Sequence, residues 1–112
     1  MYRATTPVFT FDFDVDPDAT FKRILVSFAQ NDSVVLTKEK EDMSFDPIVN
    51  EDGETTYTAT IRLTQEEANK FNTKKGTKVT IQLRTLTYEG EAVAFDKMTV
   101  QLKNVLDDRV LT

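Results

Sequence analysis

The chain has 112 residues, 39% apolar and 29% charged, which is enough apolar sequence to bury the core of one globular domain. It contains no cysteine and no histidine, which excludes disulfides, thiolate zinc sites and the most common general base. The net charge of −5 disfavours nucleic-acid binding. We expect one domain, residues 1–112, with an N-terminal arm, residues 1–7, and a C-terminal tail, residues 103–112.

The first predicted element is a half-buried strand in which apolar and acidic residues alternate. Phe9, Phe11, Phe13 and Val15 recur at every second position, so the pattern predicts a strand whose apolar side faces the core. The Asp-Pro-Asp sequence that follows ends the strand, because proline lacks an amide donor and keeps the preceding residue extended.

Three further strands are predicted before residue 55. The segment FKRILVSFAQ alternates as a central strand does, and the turn residues Asn31-Asp32-Ser33 join it in a hairpin to VVLTKEK. The segment MSFDPIVN is interrupted by Pro47 and predicts a short edge strand, where a missing amide is tolerated. A polar loop follows it.

The second half of the chain predicts three strands and one short helix. After the strand TTYTATIRL, Thr64 and Glu67 match the capping box of a helix of about two turns, which ends before Asn72. The last strands are VTIQLRTLT and AVAFDKMTVQL. The apolar period slips by one residue between Phe95 and Met98, which predicts a bulge.

These elements predict an all-β fold, an immunoglobulin-like β-sandwich of about seven antiparallel strands with one short helix between strands five and six. The short acidic helix followed by a tight hairpin resembles the E-to-F crossing and F–G hairpin of immunoglobulin-like domains. Their cysteine pair and tryptophan are absent here, so the resemblance is architectural and implies no function.

Four aspartates at alternate positions, Asp12, Asp14, Asp16 and Asp18, match the first half of an EF-hand calcium loop. The sixth loop position carries Pro17 instead of the required glycine, and the twelfth carries arginine instead of a bidentate glutamate. In an extended strand these carboxylates would also lie ~6.8 Å apart. We therefore predict no metal and no cofactor, with a loose ion at Asp16 and Asp18 left open.

Catalysis is not indicated by any motif. The chain lacks a nucleophile elbow and a phosphate-binding glycine loop, and most carboxylates fall on exposed faces or loops. The phenylalanines alternate with aspartate, whereas platforms for single-stranded nucleic acid pair aromatic residues with basic ones. No apolar run approaches the ~20 residues of a membrane span. We expect a protein that is not an enzyme and that has no direct nucleic-acid, small-molecule or membrane partner.

The remaining class of function is recognition of another protein through the surface. Two sets of residues are candidates for binding such a partner. The acidic set comprises Asp12, Asp14, Asp16, Asp18, Glu51, Asp52 and Glu54, and the apolar set in the tail comprises Val105, Leu106, Val110 and Leu111. The acidic set predicts a negative face that docks a basic partner. The alternative is that these charges only discourage pairing between edge strands.

The ordered pieces RATTPVFTFDF, VSFAQNDSVVLTKEKED, IRLTQEEANKF, VTIQLRTLTYEGEAVAF and VLDDRVL together resemble a group of small uncharacterised proteins encoded in phages and prophages of gut Firmicutes. The similarity runs from Arg3 to Leu111. It implies a viral setting, in the virion or the host cytoplasm. Because compact immunoglobulin-like sandwiches are common in virions, it favours a structural or accessory protein of the capsid, neck, tail or baseplate, acting through a protein partner or self-assembly.

Two other functions stay open. In the first, the protein is an acidic phage-encoded inhibitor of a bacterial defence system and occupies a basic nucleic-acid groove. Its aspartates would then be spaced at about twice the axial phosphate spacing of one DNA strand. In the second, it is a host protein-binding domain with no viral role.

Overall fold

The computed structural model describes every residue from Met1 to Thr112 and places most of them in two antiparallel β-sheets that pack face to face. The strands are β1 (Val8–Phe13), β2 (Phe21–Gln30), β3 (Ser33–Glu39), β4 (Ser44–Val49), β5 (Thr55–Arg62), β6 (Lys78–Thr87), β7 (Ala92–Ala94) and β8 (Met98–Gln101). Two single-turn helices, α1 (Pro17–Thr20) and α2 (Gln65–Ala68), and 3-10 turns at Lys40–Asp42 and Thr73–Lys75 connect them. No helix has the length and apolar character needed to cross a membrane.

The order of the strands confirms the predicted immunoglobulin-like sandwich. The first sheet runs β1-β5-β4, and the second runs β3-β2-β6 with both β7 and β8 along the far side of β6. β7 pairs with residues 84–86 and β8 with residues 78–81, so these two are halves of the predicted seventh strand, broken at the expected slip in period. In the lettering of immunoglobulin domains, the first sheet corresponds to strands B, E and D, in the order β1, β5 and β4. The second sheet corresponds to strands C′, C, F and G, where G comprises both β7 and β8. No strand occupies the position of A, which would lie beside β1.

The core lies between the inward faces of the two sheets. Phe28 of β2 is fully buried, and its ring centroid lies 5.3 Å from that of Phe9 on β1 and 6.4 Å from that of Phe71 after α2. Both pairs are edge-on, the favourable arrangement for aromatic rings. These three phenylalanines therefore pack the two sheets against each other and against the connection between β5 and β6.

The predicted hairpin between β2 and β3 turns on two residues, Asn31 and Asp32, which have positive φ angles of 50° and 62°. Such angles are typical of the type I′ turn, whose twist suits a two-residue hairpin. Just before the turn, the buried side chain of Gln30 donates hydrogen bonds to the carbonyls of Asn72 and Gly76 and accepts one from the Asn72 amide. This side chain fixes the loop before β6 onto the end of β2.

The prediction that the first strand continues to Val15 is wrong, because β1 ends at Phe13 and the chain then enters α1. Asp16 caps this helical turn, with its Oδ1 accepting from the amides of Asp18 and Ala19 at 3.0 and 3.4 Å. Pro17 occupies the first helical position, where its missing amide costs nothing. Val15 consequently lies outside the core and is 40% exposed.

The helix after β5 begins where the capping box predicts but is one turn long instead of two. Thr64 Oγ1 accepts from the Glu67 amide at 3.1 Å, and Glu67 Oε1 accepts from the Thr64 amide at 2.9 Å. The helix ends at Ala68, so Lys70 lies beyond its last turn. Glu67 also forms an ion pair of 2.7 Å with Lys38 on β3, which attaches the helix to the second sheet.

Thr64→Ala should lower the free energy of unfolding by about 1 kcal/mol, because it removes the acceptor for the Glu67 amide. Urea denaturation followed by circular dichroism would measure the loss. Thr77→Ala is the matched control, since Thr77 is exposed and its side chain makes no hydrogen bond. Equal stability of the two variants would contradict a stabilising role for the capping box.

The Glu67 ion pair should make stability depend on pH in the acidic range. Burial acts to raise the pKa of the Glu67 carboxyl, but hydrogen bonds from Lys38 and the Thr64 amide hold it below its ordinary value of 4.5. A pKa that is lower in the folded state stabilises the fold above 4.5, and this contribution is lost as the pH falls through the folded-state value. Urea denaturation across this range should show a smaller acid-induced loss for Glu67→Gln than for the parent chain. The exposed neighbour Glu66, changed to glutamine, should leave the loss unchanged.

The N-terminal arm and the C-terminal tail lie side by side. Tyr2 pairs in parallel with Lys103, and the Arg3 guanidinium forms an ion pair of 2.9 Å with Asp108. The Asn69 side chain, just after α2, accepts from the Ala4 amide and donates to the Asp108 carbonyl. Both terminal segments are therefore held against the connection between β5 and β6.

Candidate protein-binding edge

The strand β1 is an edge strand that pairs only with β5. The Leu63 amide donates to the Pro7 carbonyl at 3.0 Å, and in an antiparallel ladder every second residue then bonds to the same partner strand. The backbone groups of Phe9, Phe11 and Phe13 therefore bond to β5. The amide and carbonyl groups of the residues between, Val8, Thr10 and Asp12, point away from β5. No backbone group of a turn or loop bonds to them. They form a row of unused donors and acceptors along the side of the sandwich.

The opposite edge of the same sheet, β4, differs because it contains a proline. The Asn50 amide donates to the Glu54 carbonyl, so the even-numbered residues of β4 bond to β5 and the nitrogen of Pro47 points to the open side. This confirms the prediction of an edge strand there. β4 lacks a donor at the middle of its free edge, which discourages strand pairing.

A groove follows the open edge of β1, between this strand and the break from β7 to β8. We call it the β1 groove; it is lined by Phe11, Phe13, Leu83, Phe95 and Met98, with Thr10, Asp12 and Asp96 at its rim. Phe95 and Met98 are 42% and 44% exposed. The backbone of Phe95 is fixed by its amide, which donates to Leu83, and by its carbonyl, which accepts from the Gln82 side chain. The groove is therefore an apolar surface held in place by the second sheet.

A second depression adjoins the β1 groove at the end of β1. It is lined by Asp14, Val15, Phe21 and Thr56, and it shares Asp12, Phe13 and Phe95 with the groove. The exposed side chain of Val15 thus continues the apolar surface beyond the last residue of β1.

The four aspartates do not form one continuous face, because only Asp12 lies in β1. Its Oδ1 accepts a hydrogen bond of 2.8 Å from Thr58, while Asp14 makes no hydrogen bond or ion pair and stays exposed. Asp16 caps α1, and Asp18 pairs with Lys40 at 3.3 Å. No group of three or more acidic side chains is arranged to hold a metal ion.

The acidic loop residues Glu51, Asp52 and Glu54 form the exposed turn between β4 and β5. The Asn50 side chain shapes this turn by accepting from the amides of Asp52 and Glu54. Because Phe13 pairs with Tyr57, the turn lies at the same end of the first sheet as Asp14. The structure therefore brings Asp14 and the loop acids to one end of the sandwich.

The apolar residues of the tail do not join this acidic end. Val105 and Val110 are half-buried, and Leu106 and Leu111 are exposed. The tail instead lies against α2, where the Gln65 side chain exchanges two hydrogen bonds with the backbone of Leu111. The two predicted sets of partner-binding residues are thus separate features.

Phe95 and Met98 line the β1 groove, but the sequence predicts them only as apolar residues of the last strand and not as part of a binding site. The slip in period between them is the one local signal that distinguishes them. The shift at that position keeps both side chains on the inward face of the second sheet, opposite Leu83 and Ile81, at the edge where β1 leaves them exposed.

No family model matches this chain, and no curated protein has a similar sequence.

Proposed function

We propose that the chain is a non-enzymatic structural or accessory component of a phage virion, in the capsid, neck, tail or baseplate, and that it acts by binding another protein. The observation that carries the proposal is the β1 groove, where exposed Phe95 and Met98 lie beside an unpaired strand edge. Apolar surface next to an open edge is typical of a site that another protein covers. The resemblance to phage-encoded proteins supports the viral setting, in the virion or, before assembly, the host cytoplasm.

Mass spectrometry of purified particles tests the proposal directly. We expect the chain in particles of the phage that encodes it, in a fixed copy number relative to a major structural protein. Its absence from particles of an infected culture that expresses it would contradict the proposal.

A pair of variants links particle membership to the β1 groove. Changing both Phe95 and Met98 to glutamate should prevent incorporation, because charge at the groove opposes burial against a partner. Val34→Glu is the matched control, since Val34 is 62% exposed on β3, away from the groove. Melting curves of both variants would show that each still folds. Equal incorporation of the two would contradict binding through this groove.

A second candidate is the acidic inhibitor of a defence system. Asp14, Glu51, Asp52 and Glu54 support it, because all four are exposed at one end of the first sheet. Asp16 and Asp18 support it less, because they bond within the protein. Such an inhibitor should bind its target far more weakly at moderate than at low salt. It should also be missing from purified particles, which separates it from the first candidate.

A further inference from the structure

We infer that the β1 groove binds one extended segment of a partner protein, which adds to the first sheet as a fourth strand beside β1 and alternates apolar with basic residues. This inference rests on the proposed function and specifies the chemistry of the partner. Three features support it: the unused backbone groups of β1, the apolar side chains that line the groove, and the acidic side chains beside it.

The unused backbone groups favour a strand over any other occupant. Val8, Thr10 and Asp12 offer donors and acceptors at the two-residue spacing of a β-ladder, and nothing else in the structure bonds to their backbone. An extended segment is the structure that satisfies such a row. It would occupy the place of strand A, which is empty in this sandwich. The other edge of the sheet lacks a donor at Pro47, so β1 is the edge that favours an added strand.

The two faces of the added strand meet different surroundings. Its side chains alternate, so every second one points toward the groove, where Phe11, Phe95 and Met98 lie. These positions should be apolar. The residues between them point outward beside Asp12 and, past the end of β1, Asp14. Cross-strand neighbours of opposite charge stabilise a sheet, so these positions should be lysine or arginine.

A second copy of this chain is a poor occupant of the groove. Pairing two β1 strands would bring two acidic segments together, and like charges across a strand pair are destabilising. The charges that discourage self-pairing are the same charges that attract a basic strand.

A synthetic peptide provides the test on the full chain. The probe is a peptide of about nine residues in which valine alternates with lysine, titrated into the labelled protein and followed by NMR. We expect the amide signals of Val8, Thr10 and Asp12 to shift and their hydrogen exchange to slow by at least about tenfold. A peptide of the same composition with its valines in one block and its lysines in another controls for charge alone. A valine–glutamate peptide controls for strand propensity alone.

One substitution separates backbone pairing from side-chain contact. Thr10→Pro removes an edge amide that β5 does not use and should weaken binding of the alternating peptide at least about tenfold. Thr10→Ala keeps that amide and removes only the side chain, so it should bind the alternating peptide much more tightly than Thr10→Pro does. If Thr10→Pro fails to fold, the exposed pair Asp12→Asn and Asp14→Asn serves instead, and it should weaken binding and reduce its dependence on salt.

Three results would overturn the inference. The first is no shift at β1 with the alternating peptide, and the second is equal binding of the blocked peptide. The third is dimerisation of the free protein that protects the same amides. None of these bears on whether the chain is found in virions, so failure of the inference and failure of the proposed function are distinguishable.

Discussion

Phe28→Ala should lower the free energy of unfolding by about 3–5 kcal/mol, the largest effect we expect from a single substitution. Phe28 is fully buried and packs against Phe9 and Phe71, so its removal leaves a cavity between the sheets. Backbone pairing with β3 and β6 fixes β2 on both sides, which limits collapse into the space. Urea denaturation followed by circular dichroism would measure the loss.

Phe11→Ala is the matched control for that experiment. Phe11 is only half-buried and lines the open β1 groove, so truncation there removes less packing and leaves no closed cavity. We expect it to lose less than about 3 kcal/mol. Equal losses for Phe11 and Phe28 would mean that the groove is filled or closed in solution.

Gln30→Leu should cost about 2–3 kcal/mol although the new side chain is similar in size and apolar. Gln30 is 2% exposed, and its amide group satisfies the Asn72 amide and the carbonyls of Asn72 and Gly76. Leucine leaves these backbone groups without their partner. The loop before β6 should loosen as a result, with faster hydrogen exchange at Asn72.

Gln101→Leu on β8 is the control, because Gln101 is exposed and its side chain makes no hydrogen bond. It should change stability by less than about 0.5 kcal/mol. A neutral outcome for Gln30→Leu would show that water replaces the amide group at the loop.

Local patterns in the sequence predict the elements of this fold well. Alternation identifies β1, β2, β5 and β6, turn chemistry identifies the hairpin at Asn31 and Asp32, and the capping box identifies the start of α2. Each of these depends on residues close together in the chain. The turn α1 is the exception, although Asp16 and Pro17 carry the capping signal for it, because the same two residues also predict the end of a strand.

The candidate site is predicted much less well, because it depends on which strands become neighbours. Alternation in β1 does not reveal that its partner is β5, or that its other side stays free. Phe95 reaches the groove only because β7 and β8 lie below the edge of β1. Of the acidic residues predicted to act together, Asp12 and Asp14 lie along this edge, while Asp16 caps α1 and Asp18 pairs with Lys40.

The unequal edges of the first sheet limit the size of any complex that it forms. A strand that joins β1 extends the sheet on one side, whereas the missing amide donor at Pro47 on β4 discourages a further molecule from pairing on the other side. The addition of a single strand is therefore favoured over growth into a fibre. In an assembled particle, the number of copies of this protein would then equal the number of donor segments that its partner displays.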